Sequence, residues 1–171
     1  QAIAIDKKFG NLASVARHLV NISYNSLEAG KLCEAFQQVY EALGIGQTLH
    51  DPFTEAISAF TISEYYYYLG TDSIQAQAGC SYTIGTKAHF LAQAKEYSLR
   101  SYKLFKGIDD VHSVSDNSSL LASIYEKLGD YKTALQYQKE SGVLKDSIFA
   151  GDNRSRIKKI EKEQAVRDAN H

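Results

Sequence analysis

Four tyrosines stand in a row in the stretch EYYYYLG, Glu64 to Gly70. A phenol offers a broad rigid face and a hydroxyl that donates or accepts, which is the chemistry of recognition. In a helix each residue advances about 100°, so four in a row sweep most of the way round. A helix with one buried face should bury one or two of them and turn the rest elsewhere. No other group of residues has the types and spacing for catalysis. His18, His50, His89, His112 and His171 show no helical pairing and no neighbouring cysteine, which speaks against zinc. Asp109, Asp110 and His112 fall between two helical patterns and read as helix capping. Gly44-Ile45-Gly46 lacks the third glycine and the preceding strand of a dinucleotide loop, and no serine sits in a nucleophile elbow. The expectation is a non-enzymatic chain without cofactor or metal.

Two cysteines, Cys33 and Cys80, are joined by no motif. Free cysteine is usually buried, so both read as buried thiols, and their pairing stays open because sequence does not decide it. Asn21, Asn117 and Asn153 begin Asn-x-Ser triplets, the first two inside helical patterns, and read as chance.

Something must position the tyrosines, and composition favours helices. The 171 residues include a single proline, so little punctuation interrupts the chain. That length suits one domain or a short repeat array. A formal net charge of −1 lacks the basic excess that a nucleic-acid surface needs. No run of about 18 apolar residues exists, so no membrane insertion is expected from this segment. The chain has no methionine at all and reads as a segment of a longer protein.

Self-comparison reveals a period. Gly30 and Gly70, which each end an amphipathic pattern, lie 40 apart, as do the helix-opening Asn11 and Asp51 and the alanines Ala94 and Ala134. Between these pairs the step becomes 59: Gly70 to Gly129, Asp51 to Asp110, Ala35 to Ala94. One unit therefore carries about 19 additional residues, between Gly70 and Ala94. The clearest unit is Leu120 to Ser141, LLASIYEKLGDYKTALQYQKES. Leu121, Ala122, Tyr125 and Leu128 recur at helical spacing, Gly129 permits a left-handed helix end, and Asp130 caps the next helix. Such a helix pair must stack on neighbours to bury both faces.

Ala122, Tyr125, Gly129, Asp130, Tyr131 and Ala134 resemble the tetratricopeptide repeat (TPR), with looser matches at Gly30, Ala35 and Ala42 and at Tyr66, Gly70 and Ala94. The 40-residue step exceeds the usual ~34 and implies longer helices or turns. The resemblance implies an all-α fold, a right-handed α-solenoid over residues 1–150. Residues 1–10 would close a preceding repeat. Repeats would follow at 11–50, at 51–109 with an insert at 71–89, and at 110–150, with a charged helical tail or linker at 151–171. The run Leu144 to Phe149 and the charged segment after it look like the end of TPR sensor regions in bacterial signalling proteins, sensor histidine kinases or helix-turn-helix regulators. That likeness implies a periplasmic place if the parent is a membrane sensor, and a cytoplasmic one otherwise.

By the same resemblance, first helices line a concave groove. The register places Tyr66 on the packed side and Tyr65 toward the neighbouring repeat. Arg17, Tyr24 and Glu28 of the first unit, Glu64, Tyr67 and Tyr68 of the second, and Ser123, Glu126 and Lys127 of the last then face the groove. The implied partner is a protein or peptide segment. The alternative is an architectural role, with a homodimer through the C-terminal helix, where Ile157, Ile160 and Gln164 have a weak heptad spacing. In the insert, Ile74, Ala76, Ala78, Cys80, Tyr82 and Ile84 alternate with a strand-like period of two. A lone strand would have no partner in a helical array, so a short helix with a glycine-containing loop is the competing expectation.

Overall fold

The computed structural model describes residues 11–169, with side chains described to residue 163. The segment Gln1–Gly10, expected to close a preceding repeat, lies outside the described residues. The described residues form six α-helices and no strand: α1 Leu12–Glu28, α2 Leu32–Leu49, α3 Pro52–Gly70, α4 Lys87–Gly107, α5 Val111–Lys127 and α6 Tyr131–Ala169. The all-helical expectation holds. The helices pack in consecutive pairs, α1 on α2, α3 on α4 and α5 on α6, and each pair packs on the next. The first helices of successive pairs also touch, α1 on α3 and α3 on α5.

The caps explain where helices begin. Asn11, Asp51, Thr86, Asp110 and Asp130 each accept a hydrogen bond from a backbone N–H two or three residues on, satisfying donors that have no partner inside the helix. Pro52 occupies the first turn of α3, where no N–H is needed. Asp110 thus does what its place between patterns predicts. Within two of the pairs the chain turns through a left-handed glycine, Gly30 (φ 74°) and Gly129 (φ 82°). Gly70 differs: a Cβ there would meet Leu91 at 2.8 Å, so it gives α4 room to approach. The left-handed position after α3 belongs to Asp72 (φ 57°).

Helix α3 is the hub. It buries Ala56, Ser58, Ala59, Thr61, Ile62, Ser63, Tyr65 and Tyr66, residues that point all round its axis. The sequence pattern read it as amphipathic, but its neighbours α1, α2, α4 and α5 leave it little open face. Its small residues make this tolerable. The Ser63 hydroxyl donates to the Ala94 carbonyl at 2.8 Å, and the Ser101 hydroxyl donates to the Ala56 carbonyl at 2.9 Å. Both bonds replace water for polar groups in a close α3–α4 seam. Arg100 grips Glu55 across the same seam with two N–H donors, at 3.0 and 2.7 Å. The main core lies where α1, α2 and α3 meet, around Val15, Leu19, Phe36, Val39, Ile62 and Tyr65. Full burial of each such side chain stabilises by roughly 1.5–3 kcal/mol.

Of the two readings of the insert, the short helix with a glycine-containing loop is the one the fold resembles: the stretch runs irregularly from Thr71 to Thr86, with left-handed Gly79 and one 3-10 turn at Ser81–Thr83. The alternation does not decide which residues dock: Ile74, Cys80 and Tyr82 pack inward with the out-of-phase Thr83, while Ala76, Ala78 and Ile84 stay exposed. The boundary expected at residue 150 falls inside α6, which runs unbroken from Tyr131 to Ala169.

Candidate functional site

The tyrosine run lies in the C-terminal half of α3, where that helix faces α1, α2 and α4 at once. Tyr65 is fully buried and pairs its hydroxyl with Ser23 of α1 at 2.8 Å. Its ring meets Tyr24 and Phe36 edge-on, with centroids 5.9 and 5.5 Å apart. Burial pushes its phenol up to about 12. Tyr66 is buried toward the second helices and stacks on Phe90 and Tyr97. Its hydroxyl pairs with that of Tyr40 at 3.2 Å, and Tyr40 in turn donates to Tyr97 at 3.1 Å. Two tyrosines thus belong to the packing. Tyr67 and Tyr68 are half-buried, their rings tilted against each other at 6.2 Å.

Beside Tyr68 sits Glu64, a carboxyl that burial raises above its ordinary range. Glu64 accepts a hydrogen bond of 2.6 Å from Tyr24 of α1, and the same phenol pairs with Thr61 at 3.1 Å. Burial, and more weakly the charge of Asp116 on α5, hold the Glu64 carboxyl above the usual carboxylate range, against the bond from Tyr24. Burial first, then the nearby Glu64 charge, push the Tyr24 phenol well above its ordinary value, so it stays protonated as a donor. Burial and Glu64 raise Tyr68 in the same way. No lysine or arginine pairs with Glu64 among the described residues. The arrangement is a partly desolvated carboxylate with two half-buried phenol faces beside it. Chemically it suits a cationic or hydrogen-bond-donating group arriving with an apolar surface.

Tyr24 and Glu64 are 40 apart, and Ile57 and Asp116, which line one small cleft between α3 and α5, are 59 apart. Both spacings of the sequence period therefore appear as side-by-side positions on successive first helices. The other residues expected near the groove lie apart from this cluster. Arg17 is exposed on α1, where it donates to Ser14 at 3.2 Å. The Thr54 hydroxyl chiefly, and the charge of Arg17 in smaller measure, hold the Asp51 carboxyl below its ordinary value. Glu28 is exposed at the end of α1. Ser123 is half-buried and donates to the Ser119 carbonyl at 3.2 Å. With Glu126 it borders an open hollow between α5 and α6, and Lys127 is exposed nearby at the end of α5.

Three contributors escape a reading of the sequence: Asp116, Thr61 and the Tyr40–Tyr66–Tyr97 hydroxyl chain. Asp116 was within reach of the period, since it stands 59 after Ile57. The hydroxyl chain joins α2, α3 and α4 and leaves no one-dimensional signal. Among the described residues no group of acidic, histidine or cysteine side chains could hold a metal ion. Gly44 and Gly46 lie within α2, so the Gly-Ile-Gly stretch is helix and not loop. Comparison of the chain with protein-family models and with curated proteins yields no match.

Proposed function

We propose that this chain is a non-enzymatic, TPR-like helical repeat module that binds a protein or peptide segment along its first helices. The observation that carries this reading is the Tyr24–Glu64 pair flanked by half-buried Tyr67 and Tyr68. A carboxylate held in this state would gain from a ligand's lysine, arginine or N-terminal amine, and the phenol faces would take its apolar stem. The sequential helix pairs, and the 40- and 59-residue steps that recur as contacts, support a right-handed solenoid with these helices on its concave side. In that arrangement a segment lying across α1, α3 and α5 meets Arg17, Tyr24 and Glu28, then Glu64, Tyr67 and Tyr68, then Ser123 and Lys127. A sensory or scaffolding role in a bacterial signalling protein is what the resemblance of the run Leu144 to Phe149 and the charged segment after it implies, with binding read out through the long helix α6. Such a readout requires the ligand to prefer one of two conformations.

The test is an array of short peptides of defined charge, followed by titration of the best binders. Peptides with a basic residue next to an apolar one should bind. The double substitution Tyr67→Ala with Tyr68→Ala should abolish binding while the helical circular-dichroism signal survives. Binding that is independent of charge and unchanged in the double variant would end this reading. A second reading, self-association, is favoured by the exposed apolar residues Leu135, Phe149, Ile157 and Ile160 along α6.

A further inference from the structure

The two cysteines, 47 residues apart in sequence, come together in the fold. Cys33 lies in the first turn of α2 and is part-exposed, whereas Cys80 is buried just before the 3-10 turn of the irregular segment. Gln77 ties the two positions to each other. Its side-chain carbonyl accepts from the Cys33 N–H at 2.9 Å, and its backbone carbonyl accepts from the Cys80 N–H at 3.1 Å. The Thr83 hydroxyl donates within the same turn, reaching the Cys80 carbonyl at 3.0 Å and the Gln77 carbonyl at 3.1 Å. Gln77 thus sets the two cysteines beside each other, and the neighbouring Cys80 side chain, then burial, holds the Cys33 thiol above its ordinary value. Two residues further on, Tyr82 stacks on Phe36 and Tyr40 of α2, with centroids 5.2 and 5.1 Å away. The irregular segment is thus laid across α2 by one ring stack and one side-chain bond, with the thiol pair at the same place.

We propose that Cys33 and Cys80 form a reversible disulfide that straps the segment Thr71–Thr86 onto α2. The oxidant is a low-molecular-weight disulfide. Cys33, the accessible thiol, loses its proton to solvent and attacks one oxidant sulfur, releasing the other as a thiolate. Cys80 then loses its proton and attacks the Cys33 sulfur of the mixed disulfide, releasing the second thiolate. Two protein thiols are oxidised, one oxidant disulfide is reduced to two thiols, and the two protons end on them. Once closed, the disulfide ties a long loop and removes conformations from the unfolded chain.

The experiment treats the chain with oxidised glutathione, then with dithiothreitol. Mass spectrometry of the intact chain and of its digest, together with thermal unfolding, gives the readout. Expected are the loss of two hydrogens in mass, a crosslinked Cys33–Cys80 peptide pair and a melting temperature higher by roughly 10 °C, all reversed by dithiothreitol. Cys33→Ser should show neither the crosslink nor the shift. A glutathione adduct persisting on Cys33 beside a free Cys80, a disulfide-linked dimer, two thiols that stay free, or a crosslink without thermal shift would each overturn the proposal. Because the wild-type chain carries the readout, the outcome does not depend on a variant that folds.

Discussion

At the scale of single residues, Glu64 is where packing and recognition meet. Its carboxyl is held above its ordinary value of 4.5, first by burial and then by Asp116. A raised carboxyl binds its proton more tightly in the folded chain than in the unfolded one. The stability it contributes is therefore complete below the unfolded value and is lost as pH rises through the folded value. At neutral pH the ionised Glu64 costs stability. Glu64→Gln keeps an acceptor for Tyr24 and removes the charge. Its melting temperature should equal or exceed that of the wild type at neutral pH, with the gap closing as the pH is lowered through the carboxylate range. If Glu64 also receives the ligand's cation, the same substitution should weaken peptide binding at neutral pH. A variant more stable yet poorer at binding is the signature of a residue kept for its site. Melting curves across pH and a peptide titration read the two effects separately.

At the scale of elements, the glycines of α2 separate space from propensity. Both Gly44 and Gly46 are helical, and glycine costs a helix about 0.5–1 kcal/mol relative to alanine. A Cβ on Gly44 would meet nothing within 4 Å, whereas one on Gly46 would lie 2.8 Å from the Glu55 backbone nitrogen of α3. Backbone cannot move aside as a side chain can. Gly44→Ala should therefore stabilise by about 0.5–1 kcal/mol. Gly46→Ala should destabilise by about 1–3 kcal/mol, because it wedges α2 from α3 beside the Asp51 cap. Denaturant unfolding of the two variants, two residues apart on one helix, gives opposite signs if the α2–α3 approach is as close as it stands here. The same logic explains the irregular segment. Its docking rests on Tyr82, Cys80 and Gln77 against α2, with Lys87 and Asp72 paired at its two ends.

At the scale of the whole molecule, α6 outruns the pair it belongs to. Ser141 and Leu144 still pack against the body, but beyond Gly151 the described side chains are almost all exposed. A helix end without tertiary contacts is marginal by itself. Ending the chain at Ala150 should lower the helical signal while moving the melting temperature by no more than about 2–4 °C. If α6 is the seat of self-association, sedimentation should show a concentration-dependent dimer for the full chain and a monomer for the shortened one. The all-helical class and the caps at Asp51, Asp110 and Asp130 were legible in the sequence, because each rests on local chemistry: periodic apolar residues, and side chains that reach an N–H two or three residues on. So were the 40- and 59-residue steps, because stacking repeats leaves equivalent residues at equal spacing. Tertiary structure alone decided the rest. The register also separated Tyr65 and Tyr66 from Tyr67 and Tyr68, but only packing on four neighbours turns α3 from an amphipathic pattern into a hub and leaves even the second pair half-buried. Only the fold brings Asp116 near Glu64, and lays the irregular segment so that Cys80 comes beside Cys33. Each of these depends on where a distant backbone comes to lie, which the local patterns of helix and cap do not carry.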